Sequence, residues 1–147
     1  MGHPNLIESD EQLAAIVRSM RTVAVVGIKD ESRADQPAHE IPRMLADRGI
    51  DVIPVNPTIA SALGKRALAS VAELDRAVDL LNVFRRSDAI PGLADEVLGL
   101  PLDRRPAAVW LQTGIRHDAA AERMARAGIP VVQDRCLGVY VARYRRG

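Results

Sequence analysis

The chain has 147 residues, 48% hydrophobic, 27% charged and 3% aromatic, with 20 basic against 19 acidic side chains and a formal charge of +1. That length holds one domain with a core of its own, and the apolar content is too high for a disordered chain. No apolar run nears the ~20 residues that cross a bilayer. Met1–Ser9 is too polar for a secretory leader, and one cysteine, Cys136, builds neither a disulfide framework nor a cysteine-based metal knuckle.

A single cytoplasmic domain over residues 1–147 is therefore expected, with residues 1–20 packed on it as an N-terminal helix. Ser9 followed by Gln12 forms a capping box, and the helix runs to about Met20 with Leu13, Ile16 and Val17 on its apolar face. Thr22–Val26 is a nearly all-apolar run ended by Gly27, the pattern of a strand buried on both faces. A polar loop, Ile28–Gln36, leads to Pro37 in the first turn of a helix that closes near Arg48-Gly49.

Asp51–Val55 is the second strand, stopped by Asn56-Pro57. Leu63–Ala67 reads as a turn and a short strand or extended piece, and a small helix follows near Ser70–Leu74. Ala77–Phe84 is the next strand, followed by a helix that an Asp88 cap and Pro91 would start and that ends near Leu98. Ala107–Leu111 is a strand, Asp118–Ala127 a helix closed by Gly128, Ile129–Val132 the last strand, and a short helix fills Arg135–Arg143.

Strands and helices thus alternate, which calls for crossover connections and a parallel sheet covered on both faces. The expected fold is α/β, a Rossmann-like three-layer sandwich with a mainly parallel sheet of about five strands. Ligands of such sheets bind beyond the carboxyl ends of the strands, where strand order reverses. That rule selects the residues around Gly27, Asn56, Phe84, Gln112 and Asp134.

Gly27 lets backbone approach a phosphate, with Lys29 or Arg33 assisting, although a plain strand-to-helix loop explains the stretch as well. Only one glycine of a G-x-G-x-x-G fingerprint is present. The second strand ends in Asn56-Pro57 rather than the acid that would hold the ribose of NAD, and Lys65 and Arg66 lie just downstream. A ribose carrying an extra phosphate suits this end; a simple Asn-Pro turn is the plainer account. Arg85 and Arg86 after Phe84 offer bidentate phosphate contacts, or pair with Asp88, Asp95 or Glu96. Gln112 supplies donor and acceptor, Gly114 close approach, and Trp110 belongs to the core with its indole N–H paired. Asp134 and Arg135 suit a cap and clamp on the last helix. Cys136 has no histidine nearby in sequence to act as its base, and His39 and His117 read as surface and helix-start residues rather than metal ligands.

Taken in order, VAVVG, DVIPVNP, LGKRA, VDLLNVFRRSDAIP, VWLQTGI and GIPVVQDRC resemble the small stand-alone CoA-binding proteins, relatives of the CoA-binding domain of the succinyl-CoA synthetase α-subunit. The likeness runs from about Arg21 to Arg143. It implies that the Gly27 loop with Ile28 and Lys29 holds a diphosphate and that Asn56 and Pro57 line the 3′-phosphate end with Lys65 nearby. It also implies that Phe84 and Arg85 lie against adenine or phosphates, and that Gln112 and Gly114 face the pantetheine arm. Lys-Asp-Glu replaces the small polar residues common after Gly27 in relatives. The chain also has no room for the phosphohistidine domain of the synthetases.

The expected function is binding of coenzyme A or an acyl-CoA, without catalysis of its own and without a metal. The alternatives are an NADP- or other nucleotide-dependent oxidoreductase-like domain, with Lys65 and Arg66 reading the 2′-phosphate, and a regulatory protein acting through its arginine-rich last third. Nine arginines face three acids over residues 104–147, but so few aromatics leave little on which to stack bases, so nucleic acid is not an expected partner. A homodimer is compatible with a domain of this size.

Overall fold

The computed structural model describes residues 2–145, and the first helix, α1 (Asp10–Ser19), begins where the capping box places it. Ser9 Oγ accepts the Gln12 N–H at 3.2 Å and donates to Gln12 Oε1 at 2.9 Å. The strands β1 (Thr22–Val26) and β2 (Asp51–Val55) have the expected bounds, and α2 (Pro37–Asp47) joins them. Between β2 and the next sheet strand the chain makes a small hairpin: Leu63-Gly64 is the expected turn and β4 (Lys65–Arg66) the expected short strand, paired with an additional strand, β3 (Ser61–Ala62).

The later elements are β5 (Leu80–Val83), α3 (Ile90–Gly99), β6 (Val109–Leu111), α4 (Asp118–Arg126), β7 (Val131–Val132) and α5 (Leu137–Tyr144). Strand β5 is shorter than expected; just ahead of it the Asp79 carboxylate accepts the Arg21 and Thr22 N–H groups at 2.8 and 3.1 Å, while the Asp79 N–H donates to the Thr22 carbonyl at 3.0 Å. Asp88 does not cap α3. It sits inside a 3₁₀ turn, Ser87–Ala89, and faces Arg86 at 3.4 Å, while Ala89 holds the cap position without a side-chain bond.

The sheet is parallel throughout in the order β2-β1-β5-β6-β7. Alternate residues of its strands enter two separate cores. Ala24, Val26, Leu81, Val83, Val109 and Leu111 meet α3 and α4 on one face. Val23, Val25, Leu80 and Trp110 meet α1, α2 and α5 on the other. The result is the three-layer arrangement that runs of two-sided apolar strands require.

Both sheet edges are covered by local chain. Asn5–Ile7 adds backbone bonds to Val131 beside β7, and Leu68 bonds Pro54 and Asn56 beside β2. None of the helices among the described residues is long and apolar enough to cross a membrane. Arg146 and Gly147, the tip of the basic last third, lie outside the described residues.

Candidate functional site

Strand order reverses between β1 and β5, since β2 lies on one side of β1 and everything after it on the other. The crevice of such a sheet opens at the carboxyl ends of these two strands, which here are Gly27 and Phe84. They touch. Gly27 has φ +82°, and a Cβ on it would stand 2.2 Å from the Phe84 carbonyl oxygen. Phe84 N–H donates to the Val26 carbonyl at 2.8 Å, and Gly27 N–H to the Val55 carbonyl at 2.9 Å. Glycine is therefore needed to close β1 against β5, as well as to let anything approach from outside.

The Gly27 loop is held by its own polar groups. Lys29 N–H donates to the Ala38 carbonyl at 3.0 Å, and the Ile28 side chain is buried in the core. Among the described residues the Ile28, Asp30 and Glu31 N–H groups have no backbone partner, so several donors of the loop stand outside the backbone network. Asp30 accepts from Ser32 Oγ and N at 2.5 and 3.0 Å. Those two bonds hold its carboxyl below the usual carboxylate range. Glu31 accepts the Leu63 N–H at 2.7 Å, tying the loop to the hairpin.

Asn56 is 6% exposed and engaged in bracing. Its Nδ2 donates to the Ile28 carbonyl at 2.8 Å, and its Oδ1 accepts from Thr58 N and Oγ1 at 2.9 and 2.7 Å. It joins the ends of β1 and β2 and shapes the site indirectly. Lys65 lies elsewhere. The hairpin folds its Nζ onto Asp51 Oδ1 at 2.5 Å and the Val52 carbonyl at 2.9 Å. That is the amino end of β2, roughly 16 Å along the strand from Asn56 at ~3.3 Å per residue. An acid at the start of β2 thus holds Lys65 apart from the strand-end residues with which the sequence grouped it. Lys65, followed by Arg76, lowers the Asp51 carboxyl in return.

Two clefts flank the crevice. One, of about 410 Å³, opens on the α2–α5 side and is walled by Phe84, Arg85, Arg86, Gln112 and Cys136, with Pro37, Ile41, Thr113 and Ile115. The other, of about 340 Å³, opens on the α3 side between Pro57, Ser70, Val71, Gly92, Leu93 and Glu96. Arg85 borders both, and among the described residues it makes no ion pair. Arg86 is exposed and paired loosely with Asp88. Lys29 and Arg33 ride on the loop before α2 and line neither cleft. Gly114 stands beside the larger cleft, its N–H donating to Asp134 Oδ1 at 2.6 Å.

Gln112 is 5% exposed. Its Oε1 accepts the Leu137 N–H at 2.9 Å and the Asn82 Nδ2 at 3.1 Å, which joins β5 and β6 to the start of α5. Asp134 bonds Gly114 and does not cap α5. Arg135 does clamp that helix, donating to Tyr140 Oη at 2.7 Å, and its carbonyl takes the Trp110 indole N–H at 2.8 Å. His39 is buried, not a surface residue, and its Nδ1 lies 3.1 Å from the Lys29 carbonyl. His117 is a helix-start residue as expected, accepting the Ala120 N–H at 3.1 Å.

Residues 21–142 match the family described as CoA binding domain. The chain is 36% identical over 131 residues to the uncharacterized protein YneT of Bacillus subtilis, covering 89% of this chain and 93% of that one. The solved structure of cell-free ID.343 from Thermus thermophilus superposes with a TM-score of 0.84 at 41% identity, over 93% of this chain and 99% of that one. A hypothetical protein from Pyrococcus horikoshii OT3 shares the fold, with a TM-score of 0.81 at 22% identity over 98% and 96% of the two chains.

Proposed function

Because this chain belongs to the family of CoA binding domains, we propose that it holds coenzyme A or an acyl-CoA across the β1–β5 crevice and performs no turnover on it. The observation that carries this reading is Arg85. Its side chain borders both clefts at the switch point, where one guanidinium can serve phosphates of a ligand that occupies the two sides at once. The apolar walls supplied by Phe84, Ile41 and Ile115 suit the uncharged arm of such a ligand, and Pro57 with Ser70 suits its nucleotide end. Binding without turnover fits the clefts' titratable side chains among the described residues, which are Arg85, Arg86, Glu96 and Cys136, with no histidine beside them.

Calorimetry with CoA, dephospho-CoA and NADP tests the reading. Arg85→Ala should weaken CoA by about 10- to 100-fold, the worth of one charge-assisted bond at ~1.5–3 kcal/mol. Wild-type protein that takes NADP and gives no heat with CoA would overturn it. The oxidoreductase alternative loses support from Lys65, whose ammonium is committed to Asp51.

A further inference from the structure

We infer that Cys136 is a covalent exchange site: its thiol displaces one half of a CoA-class disulfide bound in the larger cleft, leaving the protein joined to the ligand's sulfur. This rests on the binding reading above and goes beyond it, since binding alone asks nothing of the cysteine. Cys136 is a half-buried free thiol at the cap position of α5, and it walls the same cleft as Arg85 and Arg86.

A second feature of that cleft points independently to a ligand. Gln112 is 5% exposed and lines it. The Leu137 N–H can only donate, so the atom 2.9 Å from it must be the amide oxygen, and the orientation of the amide is fixed. Its Nε2 is then left without a protein partner among the described residues. That nitrogen is not sealed in the protein as Asn82 Oδ1 is; on a side chain otherwise buried it is left open to an acceptor from the cleft, and the carbonyls of a peptide-like arm supply one. Leu137 directly follows Cys136, so the bond that orients the donor also pins the backbone that presents the thiol. An arm held by Gln112 and walled by Phe84 and Ile115 would deliver its terminal sulfur beside Cys136.

The step balances without an outside oxidant. The Cys136 sulfur, having lost its proton, attacks one sulfur of the ligand's disulfide. The old S–S bond breaks as the new one forms, and the other half leaves as a thiolate that takes up the proton. One disulfide is consumed and one is made.

The experiment incubates reduced protein with CoA disulfide or glutathione disulfide at equal micromolar concentration and follows intact mass. We expect one CoA per chain, added on the order of 100-fold faster than glutathione, because a bound disulfide presents its sulfur at millimolar effective concentration. Reductant should reverse the adduct, and Cys136→Ser should abolish it. Equal rates for the two disulfides, or an adduct that survives in Cys136→Ser, would overturn the inference. Calorimetry of the wild-type protein with CoA under reductant separates the two failures. CoA binding without selective exchange removes this proposal alone, and no CoA binding removes both.

Discussion

Gly27→Ala tests whether the crevice is built by contact between β1 and β5. A methyl at position 27 would stand 2.2 Å from the Phe84 carbonyl oxygen. Backbone must yield by about 1 Å to restore an ordinary contact, since the obstacle is a strand end and no flexible side chain can turn aside. Three terms add: ~1–2 kcal/mol for a β-carbon at φ +82°, ~1–3 kcal/mol of overpacking, and part of the Phe84-to-Val26 bond. The expected loss is about 3–5 kcal/mol. Gly49→Ala provides the control, because Gly49 has φ +84° and a Cβ there meets nothing within 4 Å. Both substitutions change the unfolded chain alike, so the difference between them isolates the steric part. By thermal unfolding followed by circular dichroism, Gly27→Ala should melt about 4–12 °C below Gly49→Ala, at ~2–4 °C per kcal/mol for a domain of this size. Equal melting temperatures would refute the claim that this contact closes the sheet, and with it the account of why glycine stands there.

Removing the Lys65 ammonium in Lys65→Met should leave CoA affinity within about twofold by calorimetry and cost less than ~1 kcal/mol, since both partners of its pair are more than a third exposed. Its pH signature follows from Asp51, whose carboxyl is lowered chiefly by the Lys65 bond. A depressed carboxyl stabilises above its unfolded value of 3.8 and loses that contribution as pH falls through the folded one. Urea titrations should therefore show a gap between wild type and Lys65→Met that is constant near neutrality and closes below about pH 4. Asn56→Asp replaces the donor to the Ile28 carbonyl with an acceptor, and the buried bracing bond at 2.8 Å becomes a repulsion. A loss of about 2–4 kcal/mol is expected in the same titrations, with weaker CoA binding through the disturbed Gly27 loop.

The sheet was legible because its signals are local. β1 and β2 are apolar runs whose ends are written in Gly27 and Asn56-Pro57, and α1 announces itself through Ser9 and Gln12. The ends of the other strands were less clear. Ala77–Asp79 and Ala107–Ala108 have strand-like side chains, yet their pairing is set by what lies opposite, and Asp79 spends its carboxylate on Arg21 and Thr22 N–H groups. Asp88 resembles a cap in sequence, but a 3₁₀ turn places it one residue before the cap position.

The same distinction governs the site. Each strand-end residue carries polar groups that either hold the loops or remain for a ligand, and sequence cannot divide them. Asn56 spends its amide on Ile28 and Thr58, and Lys65 spends its ammonium on a carboxylate 14 residues earlier. Asp134 spends its carboxylate on Gly114. What survives this subtraction is Arg85, which sequence left free to pair with Asp95 or Glu96. Asp95 instead binds Arg123, and Glu96 makes no ion pair among the described residues, although it shares the smaller cleft with Arg85. Gln112 survives by half, its oxygen structural and its nitrogen spare. Cys136 enters the wall only because β7 returns beside β6 and starts α5 there. Polar atoms left over after the fold has taken its share, on a sheet edge where strand order reverses, are what define a binding site here. A charge count along the chain weights Lys65 and Arg85 equally, and the fold shows that only Arg85 faces the clefts.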